Sequence, residues 1–126
     1  MTRFLTCFLI VTFLLGCKSK PMVYNDPVPV HKSIAIDSRF VGEERIINIW
    51  TPPGYEDGGA AFPVLYMPDG GVGEDFPHIA NTLAELIKSN EIEPVILVGI
   101  ENTERGRDLT GASTVVAHEK YGIPMT

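Results

Sequence analysis

The chain has 126 residues and a formal net charge of -6. That length holds one domain at most. The acidic balance excludes a nucleic-acid binder working through a basic patch.

Residues 1–20 read MTRFLTCFLIVTFLLGCKSK. Arg3 precedes an apolar run from Phe4 to Leu15, 12 residues long. A helix of that length cannot cross about 30 Å of hydrocarbon. The pattern is that of a signal peptide over residues 1–16. Leu14-Leu15-Gly16-Cys17 resembles the bacterial lipoprotein box. The resemblance implies lipidation at Cys17, which becomes the first mature residue, and a bacterial cell-envelope location with a lipid anchor in the membrane. The alternative is plain secretion with a cysteine that happens to stand there. Cys7 lies in the segment to be removed, so no cysteine is left for a disulfide or a thiolate metal site. His31, His78 and His118 lack metal-ligand spacing.

Residues 17–32 carry three prolines and little apolar periodicity, which predicts an extended tether. A domain over residues 33–126 follows. Ser33–Asp37 and Glu43–Thr51 read as strands of a hairpin, turning at Val41-Gly42-Glu43. Pro52 and Pro53 end the second strand, because proline cannot donate to a ladder. Pro63–Met67 is a continuous apolar run, as expected of a central strand covered on both faces. A helix is predicted over Asp75–Ser89, with Asp75 at the N-cap and Pro77 in the first turn. Phe76, Ile79, Ala80, Leu83, Leu86 and Ile87 form its apolar stripe. Pro94–Ile100 reads as a second buried strand, so strand, helix and strand make a parallel crossover. The fold class is α/β: an antiparallel hairpin leading into a parallel sheet with crossover helices. Trp50 and Tyr55 are expected to be packing residues.

Asp69-Gly70-Gly71-Val72-Gly73 needs a reason, since glycine at a strand's end loses ordering entropy and packs nothing. A dinucleotide loop fits poorly. Phe76 stands where the third glycine belongs, and Glu74 and Asp75 would oppose a pyrophosphate. A tight structural turn and an oxyanion hole both remain open. In the second case bare backbone N–H groups face a developing negative oxygen. The loop Glu101–Thr110 leaves the C-terminal end of a parallel strand, where open α/β sheets bind ligands. Asn102, Arg105, Arg107 and Asp108 are therefore candidates for a substrate mouth. The competing reading is a solvated loop with an internal Arg–Asp pair.

IWTPPGYEDGGAAFPVLYMPDGG, followed by PVILVGIENTERGRDLTG, resembles the putative esterase family of α/β-hydrolases. That family includes enterochelin esterase-like, esterase D-like and feruloyl esterase-like proteins. The resemblance spans roughly Glu43 to Gly111 and implies an N-terminal part of that fold. It also implies an oxyanion hole at Gly70 and Gly71, a serine acyl-enzyme, a small-molecule or carbohydrate ester substrate, and no cofactor or metal. The family's serine stands in G-x-S-x-G on a sharp strand-to-helix turn. Gly111-Ala112-Ser113-Thr114-Val115 only approaches that motif, and it follows no apolar strand. Ser113 is therefore expected to be a loop residue, His118 a surface histidine and Asp69 a loop stabiliser. The triad is expected beyond Thr126, with the chain truncated before its nucleophile and inactive alone. Only one helix is available to cover the sheet, so one face and an apolar edge at Pro94–Ile100 are expected to be bare. The competing function is a non-catalytic glycan-binding or assembly domain on the same scaffold.

Overall fold

The computed structural model describes residues 25–59 and 61–126. The predicted signal peptide, Cys17 and residues 18–24 of the tether lie outside the described residues.

Strands β1 (Lys32–Ser38) and β2 (Glu43–Trp50) form the antiparallel hairpin. Their turn occupies Arg39–Gly42, and Glu43 already belongs to β2. Gly42 takes the left-handed conformation at φ 72°, and its N–H donates to the Ser38 carbonyl at 2.7 Å. After Pro52-Pro53 and a short 3-10 turn at Tyr55–Asp57, the chain enters β3 (Val64–Met67). Helix α1 (Phe76–Lys88) begins with Pro77 in its first turn. Asp75 precedes it without a side-chain cap; its N–H instead donates to the Asp69 carbonyl at 3.1 Å. The helix ends at Lys88, and Asn90 just beyond its cap Ser89 is left-handed at φ 58°. Strand β4 (Ile96–Ile100) returns, then a short helix α2 (Arg105–Leu109) and a 3-10 segment at Val116–Tyr121.

The sheet order is β1-β2-β4-β3. Strand β4 pairs antiparallel with β2 and parallel with β3. Among the described residues β3 has one neighbour, β4, and Tyr66 is 67% exposed. One expectation is corrected. Pro94–Ile100 is not the bare edge, because both sides of β4 are hydrogen-bonded. Apolar density reports whether faces are covered, and lateral order depends on which strand slots between which.

One face of the sheet is closed by α1. Trp50, Phe76, Ala80 and Leu97 form the buried core, flanked by Met67, Ile79, Leu83, Ala84 and Ile87. Burying Phe76 and Leu97 completely stabilises the fold by about 1.5–3 kcal/mol each. Trp50 is thus a packing residue, whereas Tyr55 is largely exposed and tilts against the Phe62 ring. On the other face Ile36, Val64 and Tyr66 are exposed.

The tether is not wholly free. Asp26 pairs with His78 at 3.0 Å, and Asn81 donates to the Pro27 carbonyl at 2.9 Å. The His31 ring meets Phe76 edge-on, with centroids 5.4 Å apart. Residues 26–31 therefore lie against α1, whose polar side chains supply the partners that a proline-rich strip cannot give itself.

Beyond β3 the backbone of Gly70 runs directly against β4. A Cβ at Gly70 would overlap the Ile100 nitrogen and Gly99; one at Gly99 would sit 2.6 Å from the Gly70 oxygen and 2.7 Å from Phe76. Gly73 has open space around the same position. Gly99→Ala is expected to lower stability by about 1–3 kcal/mol through overpacking. Gly73→Ala should stay within about 0.5 kcal/mol. Urea unfolding of the two variants checks this, and equal losses would contradict the close approach.

Candidate active site

The site is built from the loop after β3 and the loop after β4. These are the C-terminal ends of two adjacent parallel strands. Pro68 ends β3, and Asp69 turns the chain through φ 52°. A side-chain-bearing residue rarely adopts that conformation without support. The support comes from Arg105, whose Nε and Nη2 donate to the two Asp69 oxygens at 2.8 and 2.9 Å. Asn102 Nδ2 adds a third bond at 2.5 Å. Arg105 holds the Asp69 carboxyl below the usual carboxylate range, with Asn102 assisting against partial burial.

The two glycines are used differently. The Gly70 N–H donates to the Ile100 carbonyl at 3.0 Å, and its carbonyl accepts from Asn48 Nδ2 at 2.8 Å. Gly70 is therefore committed to packing and ladder-like bonding. The Gly71 N–H points away from the core and donates to Glu74 Oε2 at 2.7 Å. The Asn102 N–H approaches the same oxygen at 3.4 Å, and Asn102 Nδ2 donates to Glu74 Oε1 at 2.8 Å. A Cβ on Gly71 would stand 2.9 Å from that Glu74 oxygen, so the glycine makes the seat accessible. Two backbone N–H groups from separate loops thus converge on one carboxylate oxygen, Gly71 closely and Asn102 at the outer limit of a hydrogen bond.

The four candidate mouth residues divide into two groups. Asn102 and Arg105, from the loop after β4, bond to the glycine loop as described. Arg107 and Asp108 belong to an ion cluster on β2. Asp108 accepts from Arg45 Nη1 and Nη2 at 2.6 and 3.0 Å, and from the Thr103 and Glu104 N–H groups at 2.9 and 3.2 Å. Arg107 bridges Asp108 and Glu43, and Glu43 also pairs with Arg45. The internal Arg–Asp pair is thus present, within a cluster that ties the loop to the sheet. Beside it opens a cavity of about 730 Å³, walled by Ile36, Arg45, Ile47, Ile100 and Asn102.

Ser113 Oγ lies 2.9 Å from His118 Nδ1. The same oxygen accepts the Val115 N–H at 3.1 Å, and Ser113 forms an isolated bridge with Met125. Among the described hydrogen bonds no carboxylate orients the imidazole, so this is a local loop contact rather than a triad. Among the described residues, no group of three His, Cys, Asp or Glu side chains converges on a metal position. Sequence reasoning missed Arg45, Asn48 and the role of Glu74. A lone Asn in the apolar strand EERIINIW was the available signal for one of them.

Arg45 holds the Asp108 carboxyl far below the usual range; burial opposes this, while Arg107 and the two backbone N–H groups add to it. Its unfolded value is about 3.9. A depressed folded value adds stability above that pH, lost as pH falls through the folded value. Wild type should therefore lose stability below about pH 4, and Asp108→Asn should be the less stable at neutral pH. The gap between them should shrink with acid. Melts from neutral to strongly acidic pH read it, and a gap unchanged throughout would contradict the ion pairing.

The model of the family described as "Putative esterase" matches residues 38–123. An IroE-like serine hydrolase from Shewanella oneidensis superposes with a TM-score of 0.63 at 37% identity, over 68% of this chain and 28% of that one. A BES protein from Bacillus cereus gives 0.45 at 21% identity, over 62% and 30% of the two chains. The enterochelin esterase of Shigella flexneri gives 0.46 at 15% identity, over 80% and 22%. No curated protein matches. The chain therefore spans 28% of the length of the Shewanella hydrolase. With a mixed α/β sheet, a glycine loop at its C-terminal edge and a family match over most of its length, the chain belongs to the putative esterase family of α/β-hydrolases.

Proposed function

We propose that this chain supplies the oxyanion-binding side of a serine ester hydrolase whose nucleophile lies outside residues 1–126. The observation that carries the reading is the convergence of the Gly71 and Asn102 N–H groups on one carboxylate oxygen. When a serine oxygen adds to an ester carbonyl, the C=O π pair moves onto the carbonyl oxygen. Fixed N–H donors that meet this charge in a water-poor site lower the barrier by about 3 kcal/mol each. The pair collapses back as the alcohol leaves, giving an acyl-enzyme that water then hydrolyses. Neither a metal nor a cofactor enters these steps. Glu74 occupies the seat and has to withdraw first, since a carboxylate and an oxyanion cannot share one pair of donors. The substrate class is a small-molecule or carbohydrate ester. We also propose that the mature protein is lipid-anchored through Cys17 in a bacterial envelope.

One observation favours a second reading. Glu74 fills both N–H groups, as it would in a binding or assembly domain that has kept the scaffold without the chemistry.

A single preparation separates the readings: the gene product recovered from its own envelope fraction, treated with a fluorophosphonate. The expected result is a lipid on Cys17 by mass spectrometry and a serine labelled outside residues 1–126. Gly71→Val should slow ester hydrolysis by roughly tenfold to a thousandfold, with little change in melting temperature. Absence of labelling would favour the binding reading. An unmodified Cys17 would remove the anchor. Full activity in a Gly71→Val protein that melts early would leave Gly71 as a turn residue.

A further inference from the structure

Asn48 is the buried polar side chain among the described residues of this sheet, 1% exposed in a core of Trp50, Phe76 and Leu97. It stands on β2 directly opposite Gly99 of β4. The missing side chain at Gly99 leaves a path across the sheet face, and Asn48 Nδ2 uses it to reach the Gly70 carbonyl at 2.8 Å. At its other end Oδ1 accepts the Ser33 hydroxyl at 2.6 Å. The amide orientation follows from chemistry: turned over, Oδ1 would face the Gly70 carbonyl, acceptor against acceptor.

The Gly70 carbonyl and the Gly71 N–H belong to one peptide unit. That unit is planar, and in the trans form its C=O and N–H point in opposite directions. Drawing the carbonyl into the core therefore drives the N–H outward. The structure shows this outcome, with Gly70 O on Asn48 below and Gly71 N on Glu74 Oε2 at 2.7 Å above. A free glycine–glycine peptide has little intrinsic preference and can rotate as a unit. The Gly70 N–H bond to Ile100 fixes the preceding peptide, not this one.

We propose that Asn48 is a positioning residue. Its side-chain amide sets the plane of the Gly70–Gly71 peptide and so aims the Gly71 N–H into the oxyanion seat. The inference rests on the esterase reading for its catalytic meaning, but its geometric content stands apart from it. Asn48 touches no substrate. It acts from within the sheet through a bond to the peptide that carries the donor.

The test uses the full chain labelled with ¹⁵N and ¹³C, and the envelope-derived protein for rates. Asn48→Leu keeps the volume and removes the donor. Asn48→Ser is the second variant, too short to reach Gly70 and less disruptive should leucine prevent folding. Ser33→Ala is the control, because it takes a bond from Asn48 without touching Gly70. The expected result in either Asn48 variant is an upfield shift of the Gly70 carbonyl carbon. The Gly71 N–H residual dipolar coupling should also no longer fit the wild-type orientation. Ester hydrolysis should slow by roughly tenfold to a hundredfold in kcat, with KM nearly unchanged. Ser33→Ala should lose stability yet keep the Gly71 coupling and kcat. A Gly71 coupling that stays at its wild-type value in folded Asn48→Leu or Asn48→Ser overturns the proposal. A reoriented Gly71 N–H with unchanged kcat overturns its catalytic part and the oxyanion reading together.

Discussion

The backbone contact between Gly70 and Gly99 is what the rest of this structure depends on. Two chain segments can run at that distance only if neither carries a Cβ. The contact brings the exit of β3 down onto β4, where the Gly70 N–H finds the Ile100 carbonyl. It also admits Asn48 from β2 beneath the loop and lets Phe76 close over Gly99 at the head of α1. Three strands and a helix therefore meet at one bare peptide. The cost of glycine at a strand's end, an entropy loss without packing in return, is offset by fixing a loop that would otherwise wander.

Above that contact the chemistry is electrostatic. Asp69 is held in a left-handed turn by Arg105 and Asn102, and Glu74 is held over Gly71 by two N–H groups and the Asn102 amide. Each of these described side chains has a partner, so the bonds of the network brace one another. The exposed guanidinium of Arg105 limits what its pairing contributes to stability, since solvent screens it. The Arg45–Asp108 pair is better enclosed and is braced by two backbone N–H groups, so it anchors the β4 loop more firmly. One loop thus has a firm root at Asp108 and a polar tip at Asn102 and Arg105.

Much of this fold was legible in the sequence because it is local. The period of 3.6 in Phe76, Ile79, Ala80 and Leu83 gave α1, and the double proline and Gly42 bounded the hairpin. Lateral strand order was not legible. Nothing in Pro94–Ile100 says that this strand slots between β2 and β3. The glycine pair announced a need for bare backbone, but assigning packing to Gly70 and the outward N–H to Gly71 requires knowing that Gly99 lies alongside. Asn48 and Gly70 are 22 residues apart, and Arg45 and Asp108 are 63 apart. Pairings of that range leave no trace in a local pattern. The serine and histidine that sit together at Ser113 and His118 look more functional in isolation than their surroundings allow.

In the proposed reaction the Gly71 N–H receives the negative oxygen. A crystal structure of the phosphonylated protein tests it most directly, because the phosphonyl oxygen stands where the oxyanion would. That role predicts that oxygen within about 2.7–3.1 Å of the Gly71 nitrogen, with the Glu74 carboxylate displaced from its present bond. A phosphonyl oxygen held elsewhere, with Glu74 still on Gly71, would contradict it.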